Sequence, residues 1–413
     1  MSDRDGVPVI DFDHHSPQFA ANADSVWKQL RETCPVAWSE HYGGFWVLSD
    51  YEGNHEVLKH QEIFTSERWP EDDGYGRQSI PVSGLGNSPL TLPLELDPPA
   101  HTPVRQLLNP LLSPNASRAM GPSIARWTTS HIDAVIESGE CDLVYDITSP
   151  VPAHITLEWL GFPLEHADLA SYAFHDMLGC APGTELFNRA LHSIVRIQEI
   201  LQATVAARRA DPRDDVISHL TRQELNGEPV DDGTIVGLCT VLVGGGVDTT
   251  TSLTSSALVH LNRDRHLRRR LIDEPELLIP ATEEFLRHYA PLATIARTTR
   301  QDTELRGCPV RAGDPILISR HSANYDAKQF EEPERFIPDR FPNRHVSFGL
   351  GVHRCVGSHL ARLMFQEMIT QILRRMPDYE IDETTITPYP DRGFAQGWVS
   401  LPARFTTSKK LSA

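Results

Sequence analysis

Apolar residues recur at three- and four-residue intervals over several stretches of the chain, the period of a helix with one buried face. The pattern predicts helices from about Thr102 to Leu112, Pro122 to Glu137, Thr184 to Arg209 and Leu360 to Arg375. The longest begins at the cap signal Asp231-Asp232 and runs to about Asn262. At 1.5 Å per residue it spans roughly 45 Å, enough to cross the molecule. Short strand-like pieces fall at Phe45–Leu48, Pro315–Ser319 and Val399–Pro402. The chain reads as mainly α with small β-sheets.

Proline and glycine, 31 and 26 in number, punctuate the chain without pooling into a linker, and no repeat is present. Residues 1–413 are therefore read as a single domain. One stretch differs. Trp69 to Pro99 is rich in Gly, Pro and Ser and long for a structureless loop, which favours a lid or binding loop. With 40% hydrophobic and 23% charged residues the chain is globular rather than disordered. Its 56 acids against 38 Lys and Arg give a net charge of −18, which argues against binding nucleic acid or anionic membrane surfaces. The N-terminus lacks the pattern of a signal peptide. The most apolar run, Gly237 to Val247, is about half the ~20 residues a membrane span needs. These features predict a cytoplasmic protein. Its six cysteines lack CxxC pairing, so most are expected to be plain thiols.

One of them stands apart. In Phe348-Gly349-Leu350-Gly351-Val352-His353-Arg354-Cys355-Val356-Gly357 three glycines bend the backbone tightly ahead of a helix. Amides and a helix N-terminus there would stabilise a thiolate at Cys355, although a buried cysteine at a loop–helix junction is the plainer alternative. A second motif lies inside the long helix, Val243-Gly244-Gly245-Gly246-Val247-Asp248-Thr249-Thr250. Three adjacent glycines cost a helix up to ~1 kcal/mol each. They serve either close packing against a neighbour or a widened turn that admits a small ligand. Third, Glu284 and Arg287 stand three residues apart, which alone would be an ordinary surface pair.

The ten-residue cysteine loop resembles the haem-binding loop of the cytochrome P450 family, Phe-Gly-x-Gly-x-His-x-Cys-x-Gly, at every fixed position. The resemblance continues in order along nearly the whole chain, with Gly245 where Ala is commoner and Val356 where Leu or Ile is common. It implies the P450 fold, with haem b between the long central helix and the cysteine loop and Cys355 as metal ligand. Phe348, Gly349 and Gly245 would then contact the cofactor. Gly245 to Thr249 matches the family's oxygen-activation motif, implying that Asp248 supplies protons and Thr249 hydrogen-bonds the oxygen being activated. Glu284 and Arg287 match the Glu-x-x-Arg pair, and Phe330 to Phe336 its meander, which makes Arg335 the third member of a structural network, with Arg340 as the alternative. The cations His101, Arg105, Arg297 and His353 match positions that hold the haem propionates, which could not be buried without such partners.

The function implied is a soluble, bacterial-type haem-thiolate monooxygenase. It would insert one oxygen atom of O2 into an apolar terpenoid, steroid or aromatic molecule. A peroxide-driven enzyme or a non-catalytic haem sensor is the alternative, and the Asp248-Thr249 pair speaks against both. No Gly-x-Gly-x-x-Gly fingerprint of a fused reductase is present, so electrons would come from a ferredoxin and its NAD(P)H-dependent reductase. Arg335, Arg340, Arg344, Arg354 and Arg362 against the single acid Asp339 suggest a basic docking face on the cysteine side. The substrate pocket would be lined by the Trp69–Leu92 loop and by Val243, Val247, Ala293, Thr294, Ile295 and Phe394.

Overall fold

A computed structural model describes residues 6–68 and 90–411, so most of the expected Trp69–Leu92 loop lies outside the described residues. The predicted helices form as His101–Leu108, Gly121–Val135, Glu185–Ala210, Asp232–Arg263 and Ser358–Arg375. The first ends before its predicted limit, at Asn109-Pro110, because proline has no amide to continue the ladder and restricts the residue before it. The predicted last strand is two strands. Trp398–Ser400 pairs with Thr387–Pro388, whereas Pro402–Arg404 pairs with Glu140–Asp142 and Glu380–Ile381.

The 32-residue helix Asp232–Arg263 is the centre of the molecule. The Asp231 carboxylate caps it by accepting from the Thr234 amide at 2.9 Å. Four helices pack around it: Pro150–Leu160, Ala167–Gly179, Glu185–Ala210 and Ser358–Arg375. Its length and composition would suffice to cross a membrane, contrary to the expectation from its apolar run alone, but it is the core helix of this fold. Several buried hydroxyls in its second half donate to backbone carbonyls. Thr254 donates to the Thr250 carbonyl at 2.8 Å and Thr251 to the Thr148 carbonyl at 2.9 Å.

A six-stranded sheet lies to one side, in the order Val9–Ile10, Val36–Ser39, Phe45–Leu48, Pro315–Ser319, Thr294–Thr299, Phe64–Thr65. Pro315–Ser319 runs parallel to Phe45–Leu48 and antiparallel to Thr294–Thr299, setting Arg297 opposite Ile316.

The helix Leu278–Tyr289 carries the Glu-x-x-Arg pair, and both side chains are fully buried. Glu284 accepts from Arg287 Nε and Nη2 at 2.8 Å, from Arg340 Nε at 3.1 Å, from Asn343 at 3.0 Å and from the Ile337 amide at 2.9 Å. The third member is therefore Arg340, not Arg335. Arg335 faces outward to pair with Glu332, and only its carbonyl joins the network, accepting from Arg287 at 3.2 Å.

Candidate active site

The cysteine loop is a backbone device. Gly349 and Gly351 adopt φ of +68° and +66°, and a Cβ on Gly351 would lie 2.6 Å from the Leu58 carbonyl. The Cys355 amide donates to the Phe348 carbonyl at 2.8 Å, closing the loop three residues before the helix Ser358–Arg375. Arg362 covers the Phe348 ring, 4.5 Å from its centre, and Asn324 and Ser347 brace the loop's approach with a 2.8 Å hydrogen bond. Cys239 and Cys180 are buried, whereas Cys355 is exposed. The protein around its thiol still holds it above the usual range, opposed by the Gly357 amide and by Arg105, Arg320 and Arg354.

The predicted cations converge beside this loop. His101 and His353 stack edge to face, their ring centres 4.7 Å apart. Burial, then the charges of His353 and Arg105, lower His101 to about 4, and its Nε2 is buried without a hydrogen-bond partner. His353 Nε2 lies 2.9 Å from Asp97 Oδ1, which leaves Nδ1 on the other side of the ring. Asp97 also accepts from Thr65, the Ser66 amide and Arg300. Burial raises this carboxyl, but those donors outweigh it and hold it below the usual carboxylate range. Arg105 ties its helix to the cysteine loop by donating to the Arg354 carbonyl at 2.6 Å. Arg297 is buried, and among the described residues its guanidinium donates to the adjacent Ala296 carbonyl at 2.7 Å. Burial lowers it to about 10. Arg105 and Arg297 have no carboxylate partner among the described residues. A buried cation without a counter-ion and an orphaned imidazole nitrogen are the groups that a dianionic cofactor would satisfy. The residues present fit haem.

The three glycines of the long helix divide by what they face. A Cβ on Gly244 would meet the Phe174 ring at 2.6 Å, and one on Gly246 the Thr156 hydroxyl at 2.8 Å. A Cβ on Gly245 would meet nothing within 4 Å among the described residues. Close packing thus accounts for two of them and open space for the third. The expected widened turn is not formed, since the helix is continuous and Thr249 donates to the Gly245 carbonyl at 2.8 Å. With 3.6 residues per turn, Val241, Gly245 and Thr249 share one stripe. Val243 and Val247 lie on the opposite side, fully buried in the core, so the pocket expectation fails for them.

Asp248 is also turned inward, and here the structure holds what the sequence did not indicate. His175 Nδ1 lies 2.7 Å from its Oδ1, and the Tyr389 hydroxyl donates to both oxygens at 2.9 and 2.8 Å. All three groups are buried. Burial lowers the His175 pKa, but the Asp248 charge outweighs this and raises it above its ordinary value. Burial and then Asp248 push Tyr389 far up.

The remaining pocket expectations meet at one seam. The Ala293 amide donates to the Phe394 carbonyl at 2.8 Å and the Thr294 hydroxyl to the Gly393 carbonyl at 2.5 Å. Thr294 spends its hydroxyl on this tie, and Ile295 is the half-buried member of the strand. A separate cleft of about 550 Å³, lined by Leu90, Leu92, Val195, Gln202, Val236 and Gly237, opens at the start of the long helix. Gly237 is twelve residues from Thr249, roughly 18 Å along the axis, so this cleft is not the site of the motif.

The cytochrome P450 family model matches residues 183–397. Steroid C26-monooxygenase of Mycobacterium tuberculosis is 34% identical over 88% of this chain and 98% of its own. Among solved structures, CYP109E1 from Bacillus megaterium in complex with testosterone is 29% identical, with a TM-score of 0.83 over 94% of this chain and 99% of its own. CYP268A2 from Mycobacterium marinum in complex with pseudoionone is 27% identical, with a TM-score of 0.87 over 96% of this chain and 99% of its own. With its loop, its central helix and its cationic cradle in this order, the chain belongs to the cytochrome P450 family of haem-containing monooxygenases.

Proposed function

We propose that the protein hydroxylates a steroid or an isoprenoid of similar bulk, with Cys355 as the thiolate that would hold the iron of haem b. The observation that carries this reading is the cradle: an exposed thiol with an amide aimed at it, beside the buried Arg297, which has no carboxylate partner among the described residues, and the orphaned Nε2 of His101. His101, Arg105, Arg297 and His353 would hold the propionates, and Phe348 and Gly349 would contact the cofactor beside Cys355. Haem bound there supplies the redox chemistry that inserts one atom of O2 into a C–H bond. The chain's own residues then have three tasks. Gly245 leaves open space on the stripe it shares with Thr249, where small molecules would have room. Thr249 presents a hydroxyl that can donate a proton on one side while accepting on the other. Asp248, with His175 and Tyr389, stores the protons that refill it. Ala293, Ile295 and Phe394 supply apolar surface against the substrate, and two relatives' complexes, with testosterone and pseudoionone, support that substrate class.

Electrons would arrive from a ferredoxin and its NAD(P)H-dependent reductase, in the cytoplasm. The docking face is narrower than the arginine count suggested. Arg340 is consumed by Glu284, and Arg362 is held by Glu283 at 2.6 Å. Arg344 and Arg354 remain exposed. The test is the absorption spectrum of the reduced, CO-bound protein, followed by incubation with steroids under isotopically labelled O2. A thiolate-type spectrum lost in Cys355→Ser, and one labelled oxygen atom in the product, are expected. A histidine-type spectrum in the wild type would end the proposal, and product formed only with added peroxide would favour the peroxide-driven alternative.

A further inference from the structure

A fifth cation lies in the cradle that the motif resemblance does not point to. Arg320 directly follows the strand Pro315–Ser319, and its neighbour His321 donates its amide to the Ala293 carbonyl at 3.1 Å. Arg320 is only 7% exposed. Its Nη1 donates to the Ser347 carbonyl at 3.3 Å and its Nη2 to the Leu292 carbonyl at 3.0 Å. The guanidinium therefore bridges the segment that leads into the strand of Ile295 and Arg297 and the segment that leads into the loop of Cys355. Its Nε is buried with no partner.

Other buried arginines show what self-sufficiency looks like. Arg287 has Glu284. Arg268 donates to the carbonyls of Leu261, Pro377 and Tyr379 and lies 4.2 Å from the Tyr379 ring centre. Arg320 has neither a carboxylate nor a ring among the described residues. Burial first, then the charge of Arg297, lowers it to about 10, and the Cys355 thiolate opposes them only in part. A buried charge persists only where something compensates it.

We propose that Arg320 is a further haem-binding residue, pairing with a propionate carboxylate beside Arg297. This rests on the haem-thiolate reading, which the CO spectrum of the wild type tests separately. The deciding measurement is the rate at which holoprotein surrenders haem to excess apomyoglobin, for wild type, Arg320→Gln and Arg320→Lys. Loss of one charge-assisted hydrogen bond makes release from Arg320→Gln about tenfold faster. Arg320→Lys, which keeps the charge and loses the planar fork, falls between. Reconstitution with the dimethyl ester of haem, which carries no propionate charge, removes the difference, and the reduction potential of Arg320→Gln is lower than that of wild type. Should Arg320→Gln fail to fold, the wild-type and Arg320→Lys rates with haem and its diester decide the matter. Equal release from wild type and variants overturns the proposal, as does a difference that persists with the diester. Unchanged release combined with lost binding of a carboxylate-bearing substrate would also overturn it, by assigning Arg320 to the substrate.

Discussion

Thr249 and Asp248 are adjacent in sequence and face different surroundings. The Thr249 hydroxyl rests on the Gly245 carbonyl, on the open stripe. The Asp248 carboxylate sits inside with His175 and Tyr389. Thr249→Ala is expected to keep haem and substrate binding but to lower product per NADH about tenfold, the shortfall appearing as hydrogen peroxide, because proton transfer by a positioned group is worth at least that. Peroxide and product assays on one sample check it. The His175 pKa is raised above about 6.5, so its pair with Asp248 is fully formed below that pH and weakens as pH rises through the raised value. The melting temperature of wild type should exceed that of His175→Gln at pH 6, and the gap should shrink as pH climbs towards 9. A gap that is constant with pH would show that His175 is not charged in the folded protein. His175 and Tyr389 lie 73 and 141 residues from Asp248 in sequence. No local pattern marks such partners, whereas the cysteine loop was legible because its ten residues are contiguous.

Elements differ in how they tolerate change. Within the long helix, Gly245→Ala adds a methyl to open space and removes a helix penalty, so it should stabilise by about 0.5–1 kcal/mol. Gly244→Ala and Gly246→Ala press on Phe174 and Thr156 and should cost about 1–3 kcal/mol. Denaturant titration of the three variants checks the order. The meander obeys the same logic of burial. Glu284→Gln leaves two buried arginines without their anion and should destabilise by about 3–5 kcal/mol. Arg335→Ala removes an exposed pair and should change stability by less than about 0.5 kcal/mol. The motif pointed to Glu284 and Arg287 but not to the third member. Arg335 and Arg340 are five residues apart in an irregular segment, and which one turns inward is decided by the meander's path, not by a periodic pattern.

Across the whole molecule the net charge of −18 says little about the face a partner meets. Counting arginines near Cys355 overstated that face, because Arg362 is paired with Glu283, 79 residues away in sequence. Arg354→Glu should slow reduction by ferredoxin severalfold at low salt, with the defect fading as ionic strength rises past 0.1 M. Arg362→Glu should instead lower stability, since it sets two acids against each other. Stopped-flow reduction and thermal melts of both variants separate these roles. Fold class and element order were readable because long amphipathic helices announce themselves. The placement of Arg320, and the inward turn of Asp248, depend on contacts between segments that the chain brings together only on folding.

Gly245 also has a historical dimension. Its neighbours on either side are fixed by a ring and a hydroxyl that would have to move with them. A lineage can therefore exchange this one residue for a larger one without first repairing the core. Each such exchange would shrink the room on the open stripe beside Thr249 by a methyl or more. The space beside Thr249 can thus be altered by one substitution that leaves the helix intact.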